Sequence, residues 1–318
     1  MASAAVKRVF ASAISCVPLA IKRELLRRAG LASPLRKTRT FERLFARICD
    51  DGMDGKQLIE TNFGLAPHIR CQVPLHKANY VFGRPQNSAM ERGTISLARE
   101  LSKDCLHFLD VGAHEGIFTF SIFHAIGKDI ILHWFEPDSV LSLRLRENLQ
   151  RNSIEAHGNR VAAADHNGCS PFFRNLTDDS SGSLGTDFQK KHSTQPETVE
   201  TIRLSDYIAG KRVSRAMVKV DVEGTGAQVW SGLAECFREI SYLVIEMLAR
   251  EIQDELPARI IRQTGWQAYY IRDFELIESR NGEFTYVEPF WNWLFCGLDP
   301  PALRHRLSGT AFRVISAV

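Results

Sequence analysis

The chain has 318 residues, of which 44% are apolar and 24% charged, and its formal net charge is +3. These values are typical of a globular protein with a sizeable core, and they give the whole molecule no strong attraction to nucleic acid or membrane. The seven cysteines are scattered, odd in number and never spaced as CxxC, which argues against a zinc site and a disulfide framework and favours a reducing compartment.

Residues 1–60 are predicted to form a basic, helical N-terminal extension. Within residues 1–48, eleven Lys and Arg residues stand against Glu24 and Glu42. Such an arm is either a solvated amphipathic helix or a contact for anionic lipid, nucleic acid or an acidic partner. The apolar stretch Val9 to Ile21 is too short to span a bilayer and lacks a clean cleavage site, so we expect a cytoplasmic protein, with peripheral membrane association through the arm left open.

The rest of the chain alternates between strand and helix patterns after a small β-rich lead-in over residues 61–90. Alternation of this kind predicts a doubly wound, mostly parallel sheet with helices on both faces. Residues 166–203 are predicted as a hairpin and a long mobile loop, in which Asp178 to Gly185 is a candidate substrate lid. The predicted strands cover 106–111, 130–135, 160–164, 216–220, 242–247, 267–271 and 293–296, and the predicted helices cover 88–102, 117–126, 140–152, 226–238 and 251–264.

The first chemical motif is DVGAHEG, which begins at Asp110, at the end of a predicted strand. Gly112 permits a tight turn and lets a ligand approach the backbone, and the following helix offers free N–H groups there. The pattern is DxGxxxG rather than the GxGxxG of dinucleotide sites, because His114 stands where the second glycine belongs. An acid at the strand end suits a cationic amino-acid cofactor better than a pyrophosphate.

The second motif, Phe135-Glu136-Pro137, ends the next predicted strand. A carboxylate at this position can accept both hydroxyl groups of a ribose, so Glu136 is predicted to bind the cofactor. Asp165 follows the third predicted strand, and there two interpretations stay open: it contacts an adenine amine, or it is an ordinary turn-forming residue.

The third motif, VKVDVEG, contains Lys219, Asp221 and Glu223, which alternate with valines at the end of the fourth predicted strand. Side chains alternate between the faces of a strand, so these three can point the same way. The first and fourth strands flank the switch point of a doubly wound sheet, which predicts that Asp221 faces Asp110 across a ligand.

With these motifs in order, the chain resembles the FkbM family of S-adenosylmethionine-dependent methyltransferases. The resemblance is carried by DVGAHEG, WFEP, ETIRLSDYI, VKVDVEG and LVIEM, from about Asn79 to Phe295. It implies a seven-stranded class I methyltransferase fold over residues 61–318, with a core at 79–296. It also implies O-methylation of a sugar, glycolipid or natural-product hydroxyl with S-adenosylmethionine as cofactor.

Carried over by position, the resemblance assigns the cofactor loop, the ribose contact and the reaction cleft. Two departures stand out: position 115 is Glu where many members are apolar, and position 226 is Gly where the family often has Glu. The second removes a carboxylate next to the DVEG turn. The implied residues are Asp110, Gly112, Ala113 and Gly116 at the loop, Glu136 at the ribose, and Lys219, Asp221, Glu223 and Glu246 in or beside the cleft.

We expect in-line transfer of the methyl group to a substrate oxygen, with a positioned base that removes the hydroxyl proton. Asp221 is the first candidate for this base, Glu223 the second and His114 the third, while Lys219 holds the partner carboxylate or stabilises developing negative charge. The spacing of the acids does not demand a metal, and none is predicted.

Two other functions remain open at this point. One is a nicotinamide-dependent oxidoreductase, which the missing GxGxxG disfavours. The other is a catalytically degenerate methyltransferase domain that serves as a binding module, which the glycine at position 226 keeps open. We expect a small-molecule or glycan substrate and no nucleic-acid partner, because the basic residues lie far from the cleft motifs in sequence and no base-flipping pocket can be argued.

Overall fold

The computed structural model describes residues 58–66, 68–74, 91–175, 182–186, 194–279 and 291–316. The chain divides into two compact units, residues 1–87 and 88–318. The predicted helical extension falls almost entirely outside the described residues, and the domain boundary predicted after residue 60 stays a prediction. The described part of the first unit contains an antiparallel pair of strands, β1 (Leu58–Thr61) and β2 (Cys71–Pro74).

The described part of the second unit contains eight α-helices, numbered here in chain order. None of the described helices is long and apolar enough to cross a membrane. The helices are α1 (Arg92–Ser102), α2 (Ile117–Ile126), α3 (Ser139–Arg151), α4 (Leu204–Lys211), α5 (Gly226–Leu233), α6 (Ala249–Gln253), α7 (Leu256–Thr264) and α8 (Pro300–Arg306).

The strands of this unit form a large mixed sheet and a smaller one. The large sheet has the order β15-β13-β12-β14-β11-β10-β3-β4-β5, and the small sheet has the order β6-β9-β7-β8. The strands are β3 (His107–Val111), β4 (Ile131–Phe135), β5 (His157–Asn159), β6 (Ala162–Ala164), β7 (Gly168–Asn175), β8 (Gly182–Ser183), β9 (Thr194–Arg203), β10 (Ala216–Val220), β11 (Ile240–Glu246), β12 (Gln267–Arg272), β13 (Glu275–Ser279), β14 (Asn292–Cys296) and β15 (Arg313–Ile315).

The centre of the large sheet is parallel, as the alternating pattern predicts. β5, β4, β3, β10 and β11 are parallel neighbours, and β14 is antiparallel to both β11 and β12. Hence β12 runs in the same direction as β11, and the carboxyl ends of β3, β4, β10, β11 and β12 lie at one edge, called here the carboxyl edge. The prediction of seven strands is wrong for this sheet, because β13 and β15 extend it to nine.

The two faces of the large sheet are covered by different helices. Leu109 and Val218 point to one face and pack in a core shared with α4, α5 and α7. Their neighbours Asp110 and Lys219 alternate to the opposite face, where Thr119 and Phe118 of α2 contact them. The segment between β3 and α2 therefore lies between the carboxyl edge and the first turn of a helix.

Several predicted elements differ from the observed ones. The strand predicted over 160–164 corresponds to β6 and lies in the small sheet, whereas β5 of the large sheet, which precedes it, has no predicted counterpart. The predicted hairpin and loop over 166–203 is largely regular, since β7 and the ten-residue β9 pair along their length. Helix α4 has no predicted counterpart, and the helix predicted over 251–264 is interrupted, because Glu255 adopts a left-handed conformation (φ 57°) between α6 and α7.

Candidate functional site

The loop that follows β3 is wedged between the ends of two neighbouring strands. The N–H groups of Gly112 and Ala113 both donate to the carbonyl of Phe135 at the end of β4, at 3.0 Å. Gly112 has φ +75°, and a Cβ built on it would lie 1.8 Å from the carbonyl oxygen of Asp221 at the end of β10. Only glycine fits there, because both the backbone conformation and the contact exclude a side chain.

The far end of the loop begins helix α2. Gly116 is the N-cap and has φ +82°, and a Cβ on it would lie 2.3 Å from Leu145 of α3. His114 also has a positive φ of 50° and donates its backbone N–H to Glu136 at 2.8 Å. The predicted loop residues Gly112, Ala113 and Gly116 are thus held in place by backbone hydrogen bonds, since the N–H of Gly116 also donates to the carbonyl of Ala113 at 2.7 Å.

Asp110 is buried, with only 1% of its surface exposed. Its Oδ2 accepts hydrogen bonds from the backbone N–H (3.1 Å) and the hydroxyl (2.7 Å) of Thr119, while Oδ1 is buried without a hydrogen-bond partner among the described residues. Burial raises the pKa of Asp110 to about 6, although Lys219 and Thr119 oppose this shift. The buried acceptor without a partner is consistent with a cationic ligand beside the loop.

Glu136 ends β4 and is also buried. One carboxylate oxygen accepts the N–H of His114, and the other accepts the N–H of Asp138 at 3.0 Å. These two amides fix the carboxylate at the carboxyl edge next to the glycine loop. The predicted contact with two ribose hydroxyls needs an ionised carboxylate at this place, because its two oxygens can accept several hydrogen bonds.

Asp165 is placed differently from the other predicted cofactor residues. It follows β6 of the small sheet, its side chain is 51% exposed, and it pairs with His166 at 2.8 Å. The contacts described for Asp165 do not join it to Asp110 or Glu136. Its predicted role at adenine therefore stays a prediction.

Lys219 and Asp221 form an ion pair at the end of β10. The ammonium of Lys219 lies 3.0 Å from Asp221 and 4.7 Å from the ring centre of Phe118, and the lysine is 3% exposed. Burial disfavours the charged lysine, but Asp221, Asp110 and Glu91 together raise its pKa above the ordinary value. Lys219 therefore stays charged and holds Asp221 in place, as the alternation of side chains predicts.

Asp221, Glu223 and Glu246 form the carboxylate cluster, with oxygen atoms that lie within 4.8 Å of one another. Burial and the charge of Asp221 raise the pKa of Glu246 well above its ordinary value, whereas the pKa of Asp221 is lowered, because Lys219 and a hydrogen bond with Glu246 outweigh its burial. The proton of this pair therefore favours Glu246 over Asp221. The spacing could also accommodate a metal ion, and the absence of a metal stays a prediction.

The turn that carries Glu223 is fixed by the small sheet. Glu223 has φ +51°, and its carbonyl accepts a hydrogen bond from the hydroxyl of Ser183 at 2.9 Å. Ser183 belongs to β8, inside the segment predicted as a substrate lid. Residues 176–181 lie outside the described residues, so the structure tests only the second half of that prediction, which it places against the DVEG turn.

Glu115, the first departure from the family pattern, forms a buried ion pair. It is fully buried, and Arg144 of α3 donates to it at 2.6 Å. The carboxylate therefore points into the protein and ties the loop to α3. Sequence reasoning did not find this role, because the partner lies 29 residues away on a helix whose orientation only the fold decides.

At Gly226, the second departure from the family pattern, a carboxylate is supplied by helix α6 instead. A Cβ on Gly226 would lie 2.7 Å from Oε1 of Glu251, a residue 4% exposed in α6. Burial raises the pKa of Glu251, and the N–H groups of Gly226 and Ala227 in the first turn of α5 oppose the shift. Glu251 thus supplies an acid at the start of α5, and Gly226 leaves the space for it.

One further acid near the site was missed from the sequence. Glu91 precedes α1, and its carboxyl group interacts electrostatically with Asp221, Lys219 and Asp110. It belongs to none of the three motifs, so no spacing rule identified it.

The parallel strand core, the glycine loop between two strand ends and the acid at the end of β4 are together typical of α/β domains that bind a nucleotide cofactor at the carboxyl ends of their strands. The family model described as the methyltransferase FkbM domain matches residues 110–271, and the chain belongs to this family. It is therefore an S-adenosylmethionine-dependent methyltransferase, in agreement with the resemblance seen in the sequence.

Similar solved structures are remote. TrmK of M. capricolum with S-adenosylhomocysteine is 10% identical (TM-score 0.36), and the match covers 64% of this chain and 66%, just under two thirds, of that one. An O-methyltransferase of Bacillus cereus with S-adenosylhomocysteine is 9% identical over 64% and 79% of the two chains (TM-score 0.34). A precorrin-6y C5,15-methyltransferase of Geobacter metallireducens is 8% identical over 64% and 87% (TM-score 0.34). No curated protein matches the chain significantly.

Proposed function

We propose that this protein is an O-methyltransferase that transfers the methyl group of S-adenosylmethionine to a hydroxyl of a sugar, glycolipid or natural-product acceptor. The observation that carries the proposal is the position of the carboxylate cluster and Lys219. They lie at the carboxyl edge directly beside Gly112, where any side chain would strike Asp221. Acid groups that can handle a hydroxyl proton therefore stand next to the loop that holds the methyl donor.

Binding of the cofactor is assigned to the residues around the loop. Glu136 would hold the ribose hydroxyls with a carboxylate already fixed by two backbone amides. Asp110, Gly112, Ala113 and Gly116 would bind the amino-acid end, and Asp165 the adenine. When bound, the cofactor supplies an electrophilic methyl group on a positively charged sulfur.

Asp221 is proposed as the group that removes the proton of the acceptor hydroxyl. Its lowered pKa keeps it ionised at neutral pH, and the ion pair with Lys219 and the hydrogen bond with Glu246 fix its orientation. Glu223 is the second candidate and His114 the third. Lys219 balances the charge of Asp221 and would stabilise negative charge on the acceptor oxygen, and a positioned base of this kind contributes about 10²–10⁴-fold to a rate.

The proposal is tested by radiolabelled methyl transfer into fractionated cell extract, followed by identification of the labelled product. Asp221→Asn keeps the shape of the side chain but cannot take up the proton, so it should lose about 10²–10⁴-fold in rate while it still binds S-adenosylhomocysteine. Asp254→Asn is the matched control, because Asp254 is 65% exposed and pairs with Arg250 at the surface.

Each outcome has a distinct meaning. A product methylated on nitrogen or carbon contradicts O-methylation. Full turnover by Asp221→Asn removes Asp221 as the base. Tight binding of S-adenosylhomocysteine without any labelled product, in extracts rich in glycans and lipids, supports the degenerate binding module instead.

A further inference from the structure

The antiparallel strands β7 and β8 of the small sheet contact two separate points of the candidate site. Arg174 of β7 lies opposite Gly182 of β8, and the neighbouring pair is Phe173 with Ser183. Ser183 donates its hydroxyl to the carbonyl of Glu223 at 2.9 Å, which ties β8 to the DVEG turn. The backbone of Arg174 is therefore held next to a strand that is anchored on the site.

The guanidinium of Arg174 contacts Asp138, the N-cap residue of helix α3. It donates to both carboxylate oxygens of Asp138, at 2.5 and 2.9 Å, and to the hydroxyl of Ser139 at 3.1 Å. The side chain of Asp138 is only 7% exposed, and a carboxylate that is buried to this degree needs a charged partner. Arg174 supplies this charge, and its paired hydrogen bonds also fix the orientation of the carboxylate.

Asp138 in turn connects this ion pair to the acid at the end of β4. Its backbone N–H donates to one carboxylate oxygen of Glu136 at 3.0 Å, and its Oδ1 accepts the N–H groups of Val140 and Leu141 in the first turn of α3. Only Pro137 separates the two acids, and the fixed φ of proline keeps this segment stiff. A displacement of Asp138 would therefore move a hydrogen bond that holds the Glu136 carboxylate.

We propose that Arg174 is a positioning residue of the cofactor site, which fixes Asp138 and thereby holds Glu136 in place for the ribose hydroxyls of S-adenosylmethionine. Arg174 acts through Asp138 and does not itself touch the cofactor. Strand β7 of the small sheet thus supports the cofactor site, in addition to the loop after β3 and the end of β4. This inference rests on the proposed function, since it concerns the carboxylate that is assigned there to the ribose.

The test compares S-adenosylhomocysteine with its analogue that lacks both ribose hydroxyls, by calorimetric titration into the full-length protein. Arg174→Gln should weaken binding of S-adenosylhomocysteine about ten-fold, the size expected for the loss of one hydrogen bond to a charged group. Binding of the analogue should weaken less than about two-fold, because it has no hydroxyls for Glu136 to hold. If Arg174 only stabilised the fold, the substitution would weaken both ligands equally.

A second measurement uses S-adenosylhomocysteine alone. In a Glu136→Gln background, Arg174→Gln should weaken binding further by less than about two-fold, because two residues that act on the same contact give losses that do not add. Arg174→Lys keeps the charge but not the paired hydrogen bonds, so it should recover only part of the affinity. Arg203→Gln is the matched control, because Arg203 on the adjacent strand β9 pairs with Glu235 at 2.8 Å, and it should change neither affinity.

The outcomes separate this inference from the proposed function. Equal losses for both ligands in Arg174→Gln, or additive losses in the double variant, overturn the inference but leave the methyltransferase intact. If Arg174→Gln does not fold, the same comparisons with Arg174→Lys decide. A wild type that binds both ligands equally well overturns the inference together with the ribose contact of Glu136. A folded wild type that binds neither ligand overturns the inference and the proposed function together.

Discussion

The close contact between Gly112 and Asp221 makes a sharp prediction for the substitution Gly112→Ala. The new Cβ would lie 1.8 Å from the carbonyl oxygen of Asp221, where real contacts are not shorter than 3.0 Å. A non-glycine residue at φ +75° costs about 1–2 kcal/mol, and relief of the contact by movement of backbone costs about 1–3 kcal/mol more. The expected loss in the free energy of unfolding is therefore about 2–5 kcal/mol.

The substitution should also affect the site, because Asp221 cannot move alone. Its N–H donates to Val111 at 2.9 Å, and its carboxylate pairs with Lys219. Displacement of Asp221 thus shifts the ends of β3 and β10 against each other. We expect binding of S-adenosylhomocysteine to weaken at least about ten-fold, since misplacement of a binding group by about 1 Å has effects of this size.

Urea unfolding followed by tryptophan fluorescence and calorimetric titration of the ligand measure both effects. Gly265→Ala is the control, because Gly265 has a similar φ of +73° at the end of α7, but a Cβ added there would meet nothing within 4 Å. Gly265→Ala should therefore lose only the free energy that a non-glycine residue costs in the left-handed backbone conformation. If Gly112→Ala is no more destabilising than Gly265→Ala and binds the ligand normally, the close contact with Asp221 limits neither stability nor ligand binding, and the reasoning is refuted.

Two further predictions concern buried groups outside the catalytic cluster. Glu115→Gln removes the negative charge that pairs with the buried guanidinium of Arg144, so thermal and urea unfolding should show a loss of about 3–5 kcal/mol, against less than about 0.5 kcal/mol for exposed Glu255→Gln. His133 is buried, and burial lowers its pKa from 6.5 to about 3, so protonation favours the unfolded chain and stability falls as the pH drops below about 6.5. The stability advantage of the wild type over His133→Gln should therefore shrink by about 2 kcal/mol between pH 7 and pH 5, and a constant difference would contradict this account.

The central elements could be predicted because their sequence patterns are strong. The predicted bounds of α2 and β10 agree with the observed ones, and β3 begins one residue later than predicted. Edge strands carry no such signal. β5 consists of His157, Gly158 and Asn159, and a Cβ on Gly158 would lie 2.2 Å from the Trp134 ring, so this strand is defined by packing against its neighbour rather than by its own composition.

In the candidate site, too, some residues are placed by local sequence patterns and others only by packing. Asp110 lies at the end of a predicted strand, and Glu136 and Asp221 directly follow two others. Parallel strands bring their carboxyl ends to one edge, so sequence order alone placed the three acids together. Glu91 precedes a helix, and its position depends on the contact between Arg92 and Asp273, 181 residues away. Contacts of this range depend on how a helix packs on a distant turn, which local patterns do not specify.

The glycine at position 226 shows how a departure from a family pattern is interpreted differently once the fold is known. In the sequence it removes an acid from the turn after Glu223 and so keeps a degenerate binding module open as an alternative. In the structure Glu251 brings a buried carboxylate to the N–H groups of Gly226 and Ala227, and a side chain at position 226 would collide with it. The acid is therefore supplied from α6, and its absence at position 226 is no argument against activity. The proposed catalytic residues, Asp221, Glu223 and Lys219, do not include position 226, so the choice between enzyme and binding module depends on turnover and not on this position.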